Sequence, residues 1–243
     1  MGLVVYEYLR FDGKSSLDYD VRISGSGTYA APARDVQSVS VPGRNGDLHI
    51  DNGRFSNVKI KYPAYITKNF RENFDAFKAF MLSRIGYKKL EDSYHPEYYR
   101  MACYSQAVEP KMSTLNRAGS FDLVFDCDPR RFLKSGTRAK VYSGAGIVFN
   151  LKNPTEFQAK PLIRAYGTGT IDINGRTITI TQANEYTDIN SESENAYKGS
   201  TNCNANITFG NSWHLFPVLD PGLNVISFTG LTSIEVTPNW WTI

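Results

Sequence analysis

Apolar and polar residues alternate along most of the chain, which is the period-two pattern of strands with one buried face. In the first half, the alternation is clearest in residues 36–41, 58–62 and 120–126, and residues 98–104 form a further strand-like stretch rich in tyrosine. We therefore predict that the first half is mostly strand.

One segment of the first half has a helical period instead. Its apolar side chains recur at spacings of four, three and four residues: Phe70, Phe74, Phe77 and Met81. Side chains at these spacings share one face, so we predict a helix at about residues 69–85. Asn69 is expected to cap its start, with Glu72 completing a capping box, and Gly86 is expected to end it. A row of phenylalanines is more typical of packing on a sheet than of a cofactor or partner groove, so this half is predicted to be α+β.

Two turn signals follow one another after the first alternating stretch. Pro42 and Gly43 suit the second and third positions of a type II turn, because proline fixes φ and glycine accepts a positive φ. Asn45 and Gly46 form a two-residue hairpin signal immediately afterwards. The pair of turns predicts a strand that ends, projects as a tight tongue and returns.

The second half shows only strand patterns. The clearest is a hairpin over residues 171–180, in which an Asn174-Gly175 loop pairs Ile173 with Arg176 and Ile171 with Ile178. Further strands are predicted at residues 161–166, 186–190, 224–229 and 231–237. Short strands separated by Gly, Asn and Pro are typical of a β-sandwich or jelly roll.

Composition changes between residues 130 and 153, where glycines appear at positions 144 and 146. We place a domain boundary there, which divides the chain into residues 1–135 and 136–243. The whole is predicted to be mainly β, and its 41% apolar and 21% charged residues allow both parts to bury a core. No segment has the character of a secretion signal or the roughly 20 apolar residues needed to cross a bilayer. We expect no membrane insertion and a soluble protein made in a cytoplasm.

The net charge and its distribution argue against nucleic acid as a partner. The net charge is +3, with 20 basic and 16 acidic residues up to Lys134 and 7 basic and 8 acidic residues beyond it. Because the two signs are interleaved, no clustered basic face is predicted, and sequence-specific binding of nucleic acid is not expected.

The search for chemistry yields no reactive constellation. Neither the histidines nor the cysteines have metal-ligand or nucleophile spacing: His49, His95, His214, Cys103, Cys127 and Cys203. The cysteines are predicted to be buried free thiols. We predict no catalytic residues, no cofactor site and no metal site.

Aromatic residues leave one binding class open. Trp213, Trp240 and Trp241 are candidates for exposed aromatic contacts, which could bind a glycan or seal a subunit contact. Adjacent side chains of a strand face opposite ways, so at most one of Trp240 and Trp241 can lie in the core.

Taken in order, the motifs resemble those of siphophage distal tail proteins over nearly the whole chain. The tongue, VPGRNGDL at residues 41–48, resembles the VPGRxGxL signature of that family, and the phenylalanine-rich helix follows where the family has one. The second half is similar at many points: NP at 153–154, AKPLI at 159–163, YG at 166–167 with Gly169, ING at 173–175, FP at 216–217, Leu219, PGLN at 221–224, FTG at 228–230, and TP at 237–238 before Trp240.

The resemblance implies a structural role in a phage or prophage with a non-contractile tail. It implies an N-terminal domain related to tail-tube subunits, a tail-tube-like β-barrel or sandwich with one helix, which forms a six-membered ring. It also implies a galectin-like C-terminal β-sandwich. The expected partners are other copies of the chain in single or stacked hexameric rings, the tail tube protein, and tail-associated or receptor-binding proteins. The expected location is the virion tail tip, after assembly in the cytoplasm of the host bacterium.

Ring closure requires two different faces on each subunit. The candidate for one of them is the assembly tongue, which consists of Pro42, Gly43, Arg44, Asn45, Gly46 and Asp47. Two alternatives stay open at this point. One is a carbohydrate-binding, lectin-like module for host-surface recognition, although some family members carry an inserted module for which this chain has no room. The other is a glycan hydrolase of the tail tip.

Overall fold

The computed structural model describes residues 7–25, 29–113, 115, 117–144, 146–210 and 215–243. The chain divides into two compact units, residues 1–131 with residue 243, and residues 132–242. The boundary predicted from the sequence lies a few residues after this division. Each unit has its own hydrophobic core.

The first unit is an antiparallel sheet with one helix. Its strands are β1 (Leu9–Phe11), β2 (Lys14–Ser15), β3 (Arg22–Ile23), β4 (Arg34–Val39), β5 (Leu48–Phe55), β6 (Val58–Ile66), β7 (Lys88–Asp92), β8 (Tyr98–Cys103), β9 (Lys111–Met112) and β10 (Gly119–Cys127). The main sheet runs in the order β2-β1-β7-β8-β10-β6-β3, with β9 also paired to β10. A 3₁₀ turn covers Ser16–Tyr19, and the helix α1 covers Phe70–Leu82. β11 (Arg131–Leu133) lies at the division between the units.

The two longest strands carry the core of this unit. β6 and β10 pair along their full lengths, and the inward positions of each strand alternate strictly with outward ones. The inward side chains of the two strands are buried: Val58, Ile60, Tyr62, Ala64, Ile66, Phe121, Leu123, Phe125 and Cys127. The period-two predictions for β6 and β10 are confirmed, and so is the strand predicted at residues 98–104, where β8 lies.

The apolar face predicted for the helix is confirmed, but the residues predicted to cap its start and to end it are wrong. Phe70, Phe74, Phe77 and Met81 are buried, together with Phe80. Asn69 makes no side-chain cap because it lies in the left-handed region, with φ of 47°. An N-cap normally has an extended backbone that aims its side chain at the free amides of the first turn, so the predicted capping box with Glu72 does not form.

The end of α1 comes before the predicted glycine. Ser83 follows the last helical residue, and its backbone amide and hydroxyl bond to the carbonyls of Ala79 and Phe80. The hydroxyl bond satisfies the Phe80 carbonyl, which a glycine C-cap would otherwise serve through a backbone amide. Gly86 does have a positive φ of 73°, but it belongs to the connection towards β7.

The second unit consists of two antiparallel sheets. Its strands are β12 (Lys140–Ser143), β13 (Val148–Asn153), β14 (Leu162–Tyr166), β15 (Gly169–Ile173), β16 (Arg176–Ile180), β17 (Tyr186–Asn190), β18 (Asn195–Lys198), β19 (Thr201–Asn202), β20 (Ile207–Phe209), β21 (Gly222–Thr229), β22 (Ser233–Thr237) and β23 (Trp241–Thr242). Short 3₁₀ turns cover Lys134–Thr137 and Asn204–Asn206. One sheet has the order β12-β22-β14-β17-β18-β19, and the other β13-β21-β15-β16-β20.

A β-sandwich core joins these sheets, as predicted. Ile163, Ile189 and Val236 from the first sheet belong to the same buried cluster as Ile171 and Phe228 from the second. The predicted hairpin is confirmed in register, since Ile171 pairs with Ile178 and Ile173 with Arg176. Asn174 and Gly175 both have positive φ, at 53° and 82°, as a type I′ loop requires.

Two buried asparagines hold the strand ends of this unit. The Asn153 side chain accepts from the amide of Thr155 at 3.0 Å and donates to the carbonyl of Phe157 at 2.9 Å. The Asn224 side chain accepts from the amide of Asp220 at 2.7 Å and donates to the carbonyl of Leu151 at 3.2 Å. The bend at residues 155–157, which follows Asn153, therefore rests on side-chain hydrogen bonds to the backbone.

Candidate functional site

The predicted tongue is the end of a free-standing hairpin. β4 and β5 pair only with each other, in a two-stranded sheet of their own. Residues 40–47 connect them, and the first turn is the predicted one: the amide of Arg44 donates to the carbonyl of Val41 at 3.1 Å, and Gly43 has a φ of 81°. This is the type II arrangement, with proline at the second position.

The second turn of the tongue differs from the prediction. A two-residue type I′ loop needs a positive φ at both of its central residues. Gly46 has a φ of 81°, whereas Asn45 is not in the left-handed region. The last strand pair is Val39 with Leu48, so the loop is longer than a tight hairpin. The first turn sets the direction in which the chain leaves β4. Asn45 and Gly46 are part of a wider loop.

Ion pairs hold the base of the hairpin together. Arg54 lies 2.6 Å from a carboxylate oxygen of Asp35, and Arg34 lies 3.0 Å from one of Asp51. The hydrogen bond from Arg54 is the main reason that the pKa of Asp35 lies below its ordinary value. These pairs face solvent, and exposed pairs contribute little to stability. The hairpin therefore has ion pairs at its base but no hydrophobic core of its own.

The apolar residues of the hairpin are exposed. Leu48 and Ile50 lie on the same face as Val39, because Val39 pairs with Leu48 and Gln37 with Ile50. Leu48 is 41% exposed and Ile50 44%, and Val36 on the opposite face is 40% exposed. The prediction that this alternation marks a half-buried strand is therefore wrong for the single chain. A two-stranded hairpin is marginally stable at best in water, so an exposed apolar one is a candidate contact surface.

The tryptophans separate into three cases. Trp240 is 3% exposed and belongs to the core of the second unit, so the prediction of an exposed contact is wrong for it. It packs over Gly136, where an added Cβ would lie 2.5 Å from the Trp240 backbone nitrogen. Trp241 is half-buried: it stacks on Phe157 at 4.3 Å between ring centroids. Trp213 lies outside the described residues.

The histidines have structural partners. His49 lies 2.9 Å from the hydroxyl of Ser38 across the hairpin, and the backbone amide of His95 donates to Asp92 at 2.8 Å. Tyr62 also donates to Asp92, at 2.8 Å, and its pKa is raised well above the ordinary value, chiefly by burial and secondly by the Asp92 charge. His214 lies outside the described residues.

The space around Asp92 does not suit a substrate. The cavity there has a volume of about 20 Å³, roughly the space of one water molecule. Across the described ranges, no group of three or more His, Cys, Asp and Glu side chains could hold a metal ion. No pattern in the sequence indicates the Tyr62–Asp92 pair, because the two residues meet only through the sheet.

The three cysteines are free, but only one is fully buried. Cys127 lies in the core of the first unit, whereas Cys103 and Cys203 are half-buried, so the prediction of buried thiols is wrong for these two. Burial raises the pKa of the Cys127 thiol to about 12, and it also raises that of Cys103. A raised pKa disfavours the thiolate, which is the reactive form.

No helix in the described part of the chain is both long and apolar enough to span a bilayer. Among the described residues, the hairpin of residues 34–55 combines open strand edges with exposed apolar side chains. Open edges favour pairing with another chain.

Comparison with solved structures shows which proteins share this fold. The chain is similar to the Dit protein of phage SPP1, described as "a paradigm of hub adsorption apparatus in Gram-positive infecting phages", with a TM-score of 0.77, 13% identity, and coverage of 98% of this chain and 100% of that one. It is also similar to a chain of the phage P2 baseplate in its activated conformation with Ca, with a TM-score of 0.53, 13% identity, and coverage of 96% and 98%. The Sr form of that baseplate gives a TM-score of 0.52 at 13% identity, with coverage of 95% and 97%. No protein-family model matches the chain, and no curated protein matches it. The chain shares the Dit-like fold over 98% of its length.

Proposed function

We propose that the protein is a structural, non-enzymatic component of a phage or prophage tail tip. In this role it forms a hexameric ring that joins the tail tube to the host-adsorption apparatus. The observation that carries the proposal is the likeness of the whole chain to the SPP1 Dit protein, which covers both units and leaves no part of that protein unmatched. The same pattern of motifs in the sequence supports it independently.

The hairpin supports a ring in physical terms. A closed ring needs head-to-tail contacts between two different surfaces of each subunit. The hairpin of residues 34–55 is one surface that a single chain leaves unpaired, and its exposed Leu48 and Ile50 would be covered in a contact. The assembly tongue at residues 40–47 is the part of the hairpin that we propose reaches the neighbouring subunit.

The further assignments follow from the hub role. The first unit would form the ring, and the second would be the galectin-like unit. The partners would be the tail tube protein and the tail-associated or receptor-binding proteins. The location would be the virion tail tip, after assembly in the bacterial cytoplasm.

Size and shape in solution test this proposal directly. Size-exclusion chromatography with light scattering, followed by negative-stain imaging, should show six-membered rings of the full chain. A double substitution, Leu48→Ser with Ile50→Ser, should give folded monomers, because it removes the apolar side chains that the contact would bury. The matched control is Val225→Ser, at a similarly exposed apolar position (43%) of the second unit. A wild-type protein that stays monomeric at every concentration, and binds no tail component, would overturn the proposal.

The carbohydrate-binding alternative has weaker support. Trp240 is buried, and one face of Trp241 is covered by Phe157. Stacking on a sugar ring needs an accessible aromatic face. Strong binding on a glycan array by a protein that forms no rings would favour the alternative over the hub.

A further inference from the structure

Asparagine followed directly by glycine occurs three times in the chain, at residues 45–46, 52–53 and 174–175. This dipeptide is prone to deamidation, in which the backbone nitrogen of the second residue attacks the side-chain carbonyl of the asparagine. Glycine favours the attack because it has no side chain to shield its nitrogen. All three pairs are exposed to solvent, so exposure does not decide which of them reacts.

Hydrogen bonds decide it instead, because the attack needs two free groups. The asparagine side chain has to rotate until its carbonyl carbon meets the glycine nitrogen, and the glycine amide has to give up its proton. A hydrogen bond to either group must break first, which slows the reaction. The hydrogen bonds at the three pairs therefore rank their reactivity.

The pair at residues 174–175 is held most firmly. The side-chain oxygen of Asn174 accepts from the amide of Val225 at 2.9 Å, and its side-chain nitrogen donates to Asn224 at 2.7 Å. The amide of Gly175 donates to the carboxylate of Asp172 at 3.1 Å. Both reacting groups of this pair are therefore occupied.

The pair at residues 52–53, in β5, is held by fewer bonds. The side-chain nitrogen of Asn52 donates to the carboxylate of Asp35 at 3.0 Å. The amide of Gly53 donates to the carboxylate of Asp51 at 2.8 Å. Each reacting group thus has one partner, and the side-chain oxygen of Asn52 accepts no bond from the described residues.

The pair at residues 45–46 lies in the tongue and has neither restraint. Of the residues that the structure describes, none bonds to the side chain of Asn45 and none accepts from the amide of Gly46. The hydrogen bond of the first turn, from the amide of Arg44 to the carbonyl of Val41, involves neither reacting group. This pair alone is free to react without breaking a bond within the described chain.

We propose that Asn45 is a site of spontaneous deamidation in the folded protein. The nitrogen of Gly46 forms a bond to the side-chain carbonyl carbon of Asn45, and the side-chain nitrogen leaves as ammonia with the proton of the Gly46 amide. The two residues thereby close into a succinimide ring. Water then opens the ring at one of its two carbonyls, which yields either aspartate or isoaspartate. Water is the only co-reactant.

The product changes both the charge and the backbone of the tongue. A new carboxylate appears two residues before Asp47, and the isoaspartate form adds one methylene group to the main chain. The inference needs only the folded chain and does not rest on the proposed ring. It predicts that the tongue changes with time, whereas the loop at residues 174–175 does not.

Incubation of the full chain in weakly alkaline buffer tests the site. Digestion by pepsin in acid, where deamidation is slow, followed by mass spectrometry, measures the loss of amide at each pair. We expect Asn45 to react at least about tenfold faster than Asn174, because the hydrogen bonds of Asn174 must break first. Asn52 should fall between them. The Leu48→Ser, Ile50→Ser protein is followed in parallel, since its tongue stays uncovered even if the wild type forms rings.

Two controls assign the reaction to this pair and to the fold. In urea, which removes the hydrogen bonds, the three pairs should react at similar rates. Asn45→Gln keeps an amide but would have to close a larger ring, so the tongue should stay unmodified while Asn174 behaves as before. The inference is overturned by an Asn45 that stays intact in both folded proteins, by one that reacts no faster than Asn174, or by a mass change in the hairpin that persists in Asn45→Gln. Each of these results leaves the hub role standing.

Discussion

At the scale of single residues, one buried asparagine connects several parts of the second unit by hydrogen bonds. Asn224 is fully buried in the second unit, and its amide oxygen accepts from Asp220 and Asn174, each at 2.7 Å. The amide group also donates to the carbonyls of Leu151, Asp220 and Gly222. One side chain thus links the start of β21 to β13 and to the hairpin loop at Asn174.

Removing this side chain should be costly. We predict that Asn224→Ala lowers the free energy of unfolding by about 1–3 kcal/mol, because buried backbone groups lose their partners. Urea denaturation of the second unit, followed by tryptophan fluorescence, measures the loss. Asn150→Ala, at an exposed strand position of the second unit, is the control and should change stability by less than about 0.5 kcal/mol. Equal effects of the two substitutions would contradict the role given to Asn224.

Burial of one thiol predicts a loss of stability in alkali. The pKa of Cys127 is raised by burial from 9.0 to about 12. The unfolded chain therefore loses this proton at a lower pH than the folded chain does. The contribution is fully present below about pH 9 and is lost as the pH rises towards about 12. The free energy of unfolding should thus fall across this window.

Substitution isolates the contribution of this thiol. In Cys127→Ala the fall between about pH 7 and about pH 10.5 should be smaller than in the wild type. The comparison at neutral pH accounts for the lost packing. Part of the fall should remain, because burial also raises the pKa of Tyr104 to about 12. Parallel stability curves for the two proteins would show that Cys127 does not contribute.

At the scale of elements, the hairpin loop offers a separate test of assembly. Gly46 has a φ of 81° and no atom near the place of an added Cβ, so Gly46→Val would strain the backbone without a clash. We predict that this variant folds and that its rings are weaker, because a loop driven out of its conformation presents the tongue poorly. Light scattering over a dilution series measures the effect.

Gly199→Val is the matched control for this substitution. Gly199 also has a positive φ, of 59°, with nothing near an added Cβ, but it lies between β18 and β19 of the second unit. Similar backbone strain there should leave ring formation unchanged. If Gly46→Val assembles like the wild type, the tongue is not part of the contact.

The elements that the sequence predicted well are those fixed by local rules. The hairpin at Asn174-Gly175 was predicted in register, since a two-residue loop and an alternating pattern determine it together. The apolar face of α1 was predicted from its spacing for the same reason. The ends of α1 were not, because the backbone of Asn69 and the bonds of Ser83 depend on how the chain enters and leaves the helix.

The candidate surface was predictable only in part. Turn residues located the tongue, but alternation in β4 and β5 gives the same pattern whether the buried face meets the same chain or another one.

At the scale of the whole molecule, assembly and stability should be coupled in one unit only. Association favours the folded state by mass action, so the unit that makes the contact should melt at a higher temperature as protein concentration rises. We assign the contact to the first unit, which contains the hairpin of residues 34–55. The second unit has a separate core and should melt independently of concentration.

The distribution of tryptophan makes this prediction measurable. All three tryptophans lie after residue 131, so tryptophan fluorescence reports on the second unit, while calorimetry detects both. Over about a hundredfold range of concentration, the calorimetric transition without a fluorescence counterpart should move to higher temperature, and the fluorescent one should stay in place. The Leu48→Ser, Ile50→Ser protein should lose the concentration dependence while keeping both transitions. A fluorescent transition that shifts in parallel with the other would mean that the second unit shares in the subunit contact, and the ring could then not be assigned to the hairpin alone.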